Sequence, residues 1–120
     1  MASPGWTPTY PPGKLGVIVE TCTLNAGDTS TDLVIPDFSD KTIHIFGGTF
    51  GNSSVSVKGL NSLSGTAQTL HRVNDPTLSF TSVSSETMAL LLENPYILRA
   101  SADGSTGTGL IVVISSKKNY

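Results

Sequence analysis

Short alternations of apolar and polar residues recur along most of this chain, broken every few positions by glycine, proline, asparagine or aspartate. A period of two marks a strand with one face buried and one face wet. Val55 and Val57 alternate with Ser54, Ser56 and Lys58 between two glycine-bearing turns. That predicts a strand over 53–58. The same pattern predicts strands over 14–24, 31–35, 41–46, 66–73, 77–83, 96–101 and 110–115.

Within 14–24, Leu15, Val17 and Val19 take one side, with Ile18 and Cys22 on the other. In 41–46, Ile43 and Ile45 lie opposite His44 and Phe46, and in 77–83 Leu78 and Phe80 face together. Residues 88–93 read two ways. Ser84-Ser85-Glu86-Thr87 could cap a helix, but Asn94-Pro95 ends the run too soon for a stable one. A strand is favoured there. The last strand is apolar on both faces, which predicts a central or covered position.

Many short strands joined by turns, without long alternating helices, predict an all-β fold. The expected architecture is a single antiparallel β-sandwich or jelly-roll-like barrel over 14–120, preceded by an extended arm over 1–13. Four of the seven prolines fall in that arm. Proline fixes φ and removes a donor, so the arm cannot be a helix or an inner strand. It is expected near polyproline II. A floppy tail is one reading. The other is a partner-docking arm, with Trp6 and Tyr10 as amphipathic anchors beside Pro11 and Pro12.

The chain has 120 residues, enough for one domain with its own core. Charged residues make up only 13%, about half the usual share, and serine and threonine fill the gap. The net charge of −2 leaves no electrostatic footprint for nucleic acid. The longest apolar run, Met88 to Leu92, is far short of a membrane span. The first residues lack a basic stretch and an apolar stretch, so no signal peptide is expected. Cys22 is the only cysteine and forms no intrachain disulfide.

Chemistry is sparse. His44 and His71 have no clustered ligands at metal spacing. Cys22 has no basic neighbour and reads as an inert thiol. Asp28, Asp32, Asp37 and Asp40 crowd two turns without calcium-loop spacing, and aspartate is common in turns for local reasons. Gly104 to Gly109 is glycine-rich, but no lysine follows and a strand comes next, so it is a turn and not a phosphate loop. No catalytic residue, cofactor or metal site is expected, and the chain does not read as an enzyme. A carbohydrate-binding sandwich is a fairer rival, although Phe38, Phe46, Phe50, Phe80 and Tyr96 are better explained as packing.

Thr49-Phe50-Gly51 followed by Ser54-Val55-Ser56-Val57-Lys58-Gly59-Leu60-Asn61 resembles the G-T-F-G … V-x-L-x-G-S-N signature of small virion proteins of tailed bacteriophages. Glu93-Asn94-Pro95-Tyr96-Ile97-Leu98-Arg99-Ala100 with Gly104-Ser105-Thr106-Gly107-Thr108 is similar to their E-N-P-R-Y-I-R-P … G-G-D-G-T block. The resemblance spans about residues 42–115. It implies a capsid-decorating, or cement, protein made in the host cytoplasm and placed on the capsid exterior. Its implied partners are the major capsid protein and itself, as a homotrimer. Trp6, Tyr10, Pro11 and Pro12 would anchor the arm to the capsid. Leu60, Leu63, Leu90 and Leu92, more apolar than loops or edges need, are expected at subunit contacts. A head-fibre base or a tail protein is the alternative within the virion.

Overall fold

A computed structural model of the chain describes residues 2–13, 16–36, 38–62 and 65–118. Nine strands run in chain order: β1 (Thr7–Thr9), β2 (Val17–Leu24), β3 (Leu33–Val34), β4 (Phe38–Thr49), β5 (Val55–Leu60), β6 (Gln68–Thr69), β7 (Thr87–Leu90), β8 (Ile97–Ala102) and β9 (Thr108–Lys118). They form a five-stranded sheet, β1-β2-β9-β4-β7, and a four-stranded sheet, β3-β8-β5-β6. Every pairing between these strands is antiparallel. The fold is the β-sandwich expected from the alternation.

Inward side chains from both sheets make one core. Ile43, Ile45, Leu110, Val112 and Ile114 come from the larger sheet, and Val55, Val57, Leu98 and Ala100 from the smaller. Each is fully buried. The β9 strand lies at the centre of its sheet, between β2 and β4. Its apolar outward residues Ile111 and Val113 are only half-buried, however, so it is central without being covered on both faces.

In β2 the alternation holds: Ile18 and Cys22 share the inward face with Glu20 and Leu24, and Val17 and Val19 lie on the outward one, while Leu15 lies outside the described residues. Register with β9 decides this, since one face of a strand must meet the core and a carboxylate is carried along with it. Residues 77–83 do not form a strand. Phe80 is buried and Leu78 is 44% exposed, so the two do not share a face. Asp75 turns the chain there, accepting from Thr77 N and from Thr77 Oγ1. Only isolated bridges at Ser79 and Val83 remain. The arm also departs from expectation. Thr7–Thr9 pairs with β2 as an edge strand, which suits proline because Pro8 need not donate inside the sheet. Ahead of it, Ala2 O accepts from Thr29 N at 3.2 Å and Pro4 O from Thr31 N at 3.0 Å. The arm therefore lies along its own domain. Residues 87–90 are strand and not helix, because β4 offers them a ladder from Thr42 to Ile45.

Two local features shape the larger sheet. The β4–β9 register shifts between Ser39 and Thr42, whose partners are Lys117 and Ser115. Asp40 and Lys41 thus oppose the single residue Ser116, a bulge. Asp40 takes a left-handed φ of 51° there. At the other end of β4, Gly48 lies against Thr108 and Gly109. A Cβ on Gly48 would sit 1.8 Å from Thr108 O, so only glycine fits.

Candidate interaction surface

The outer face of the five-stranded sheet carries the most connected apolar surface. Register places Thr7, Thr21, Val113, His44 and Met88 in one row across the sheet. Thr9, Val19, Ser115, Thr42 and Leu90 form the next row. Thr23, Ile111 and Phe46 form a third. No aspartate, glutamate, lysine or arginine stands in these rows. His44 stacks on Phe46 with ring centroids 4.4 Å apart, and its Nε2 meets Glu86 Oε2 at 2.9 Å at the border.

The face extends past β7. Val73 N donates to Leu90 O and Leu92 N donates to His71 O, both at 2.9 Å. Arg72 bridges Leu91 and lays its guanidinium over Phe80, 5.4 Å from the ring centroid. Arg72 and Leu91 thus turn inward. Val73 and Leu92 are left at 43% and 50% exposed, beside Leu90 at 41% and Met88 at 67%. His71 anchors this edge. Its backbone N donates to Glu93 Oε1 at 2.8 Å, and its Nδ1 meets Oε2 at 2.5 Å. Burial acts to raise the Glu93 carboxyl, but these bonds from His71 outweigh it and hold the group below its ordinary value.

The residues expected at interfaces divide. Leu90 and Leu92 are together on this exposed edge. Leu60 is 4% exposed and buried within the subunit, so it cannot meet a neighbour. It lines a cavity of about 410 Å³ with Leu70, Thr69 and Pro95. Leu63 lies outside the described residues. In the arm, Trp6 packs against the core and its Nε1 donates to Thr31 O at 2.9 Å. Tyr10 is 69% exposed, Pro12 is exposed and Pro11 is half-buried. Trp6 is thus already engaged in its own domain, while Tyr10 remains open. The sequence does not single out Met88 or Val73. Their signal is present but faint, since a methionine at an outward strand position is ordinary taken alone.

The titratable groups have local tasks. Cys22 is fully buried; burial, then the nearby Asp28, pushes its thiol up to about 11, which makes it a poor nucleophile. Asp28 accepts from Ala2 N and Asn25 N, and Asp32 pairs with Arg99 at 2.8 Å. Asp37 lies outside the described residues. In the glycine-rich turn, Asn52 Oδ1 accepts from Ser105 N at 2.9 Å and Thr106 N at 3.0 Å. The amides a phosphate would need are already taken. Among the described residues, no group of three or more His, Cys, Asp or Glu could hold a metal ion.

No protein-family model matches the chain, and no curated protein is significantly similar to it.

Proposed function

We propose that the chain is a capsid-decorating protein of a tailed bacteriophage. It sits on the capsid exterior as a homotrimer, bridges copies of the major capsid protein, and resists their separation under internal DNA pressure. The observation that carries this reading is the outer sheet face, whose three rows from Thr42 to Phe46 hold no aspartate, glutamate, lysine or arginine, with its Met88–Leu90–Leu92–Val73 border. With strands ~4.8 Å apart and a rise of ~3.3 Å per residue, two rows across five strands and a third across three present roughly 400 Å² of face. That is a large part of the ~800 Å² each partner contributes to a stable interface. The two blocks that resemble virion proteins also support it. They are sequence-distant but adjacent in space, because β5 pairs with β8 from Val55 to Leu60 and Asn52 clasps the 105–106 turn.

The mechanism is mechanical. Apolar area removed from water opposes separation at roughly 25 cal/mol per Å². Rows lacking fixed charge meet neighbours without desolvating ions. Tyr10 offers a second, amphipathic contact beyond the sheet edge.

The test is single-particle imaging of expanded capsids lacking the protein, incubated with purified chain. Ordered extra density at threefold positions, saturating with added protein, is the expected result. Undecorated shells at saturating protein would reject the reading and leave a head-fibre base, a tail component or a glycan-binding module.

A further inference from the structure

Lys41 is the only lysine or arginine among the described residues that is fully enclosed, at 2% exposed. The bulge in β4 turns it inward. Its Nζ donates to Phe38 O at 2.8 Å and to Asn94 Oδ1. Among the described residues, no carboxylate lies within ion-pair distance of Nζ. A buried ammonium with two neutral acceptors is costly to keep.

We infer that Lys41 and Asn94 are the two halves of an intramolecular isopeptide bond, joining Nζ to Cγ. The geometry supplies three requirements. The first is a nucleophile. Burial pushes the Lys41 amine below its ordinary value, against the opposing pull of Asp40, which enlarges the share of neutral amine. The second is proximity. The Asn94 segment is tied to β4 by Leu91 N donating to Lys41 O at 2.8 Å. It is tied to the adjoining edge by Glu93 on His71. Pro95 stacks where Gly59 leaves room, since a Cβ there would lie 2.5 Å from the proline ring. Two reactants held from both sides react as one molecule. The third is an exit. A cleft lined by Asp40, Lys41, Leu92 and Asn94 opens beside the pair.

The step balances without an oxidant. The Nζ lone pair attacks Asn94 Cγ, and a C–N bond forms. The bond from Cγ to Nδ2 breaks, and Nδ2 leaves as ammonia carrying the proton that Nζ loses, relayed through solvent in the cleft. A charged amine becomes a neutral amide, so the buried charge disappears. The link spans 53 positions of sequence. It would restrain the unfolded chain as a disulfide does, in a protein whose single cysteine cannot form one within the chain.

Intact-mass measurement of the full chain, incubated to constant mass, decides the matter. The expected wild-type mass is about 17 Da below the sequence mass, one ammonia per chain. Lys41→Met and Asn94→Ala each keep their full sequence masses. A protease digest of the wild type gives one branched peptide joining the segments that hold residues 41 and 94. Wild-type chain at full mass with linear peptides overturns the inference. So does a deficit that persists in Lys41→Met, because that ammonia would come from another asparagine.

Discussion

Glu20 is 7% exposed on the inward face of β2, among Ile18, Cys22 and Leu24. Burial raises its carboxyl above the ordinary value. A raised folded-state value means the favourable contribution is complete below the unfolded value and is lost as pH rises through the folded one. At neutral pH the ionised group is a penalty. Glu20→Gln is expected to stabilise the fold by about 1 kcal/mol at pH 7, the scale of relieving a poorly paired buried charge. The gain should fade toward zero at pH 4. Urea unfolding at both pH values checks this, and equal gains at both would contradict it. Asp28 and Asp75 act in the opposite sense. Backbone bonds from Asn25 and Ala2 lower Asp28, and the Thr77 side chain and then its backbone lower Asp75. Their contributions are present above the unfolded carboxyl value and lost as pH falls through the folded one. Neither Glu20 nor Lys41 is legible as buried in the sequence, since a charged residue in an alternating strand reads as the wet face. Register and a bulge overrule that reading, and both are set by partners distant in the chain.

At the scale of elements, the turn-bounded alternations locate most strands to within a few residues. The strand at 53–58 becomes β5, and 110–115 extends into β9, because long-range partners lengthen what local pattern begins. The arm is harder to read. Proline excludes an inner strand but does not distinguish a free tail from an edge strand, and the partner that decides is β2. Trp6→Ala should therefore cost the isolated domain about 2 kcal/mol, less than a fully buried tryptophan would. Chemical unfolding of the free protein measures it, and an unchanged midpoint would mean the arm is not docked at home. Gly48→Ala tests the other end of the sheet. Its Cβ would collide with Thr108 O, so β4 and β9 must part, at a cost of about 3 kcal/mol or a failure to fold. Soluble yield and thermal midpoint report it. Residues 77–83 mislead the pattern because Phe80 is held singly, by Leu70 O and Val57 N, and not by a ladder.

At the scale of the molecule, a sandwich normally hides one face of each sheet and wets the other. Here the wet face of the larger sheet carries Ile111, Val113, Phe46 and Val19, with Met88 and Leu90 at its border. The sequence shows these residues but not that five strands align them. Leu60, by contrast, reads as surplus apolarity in a loop and is in fact subunit interior. Substituting it would test folding, not assembly. The proper probes are outward residues. Val113→Lys with Leu90→Lys adds charge to the face without touching the core, so the thermal midpoint of dilute protein should hold within a few degrees. In light scattering the wild type is expected at the mass of a trimer and the double variant at that of a monomer. Equal masses for the two would remove this face from the subunit contact.

The most direct measurement of the central proposal is sedimentation of wild type, the Val113→Lys/Leu90→Lys variant and Tyr10→Ala with expanded capsids that lack the protein. Saturable binding by wild type, with loss of binding in the double variant and partial loss in Tyr10→Ala, is the predicted result. Failure of the wild type to bind, or undiminished binding by the double variant, would contradict a decoration role that depends on trimers assembled through this sheet face.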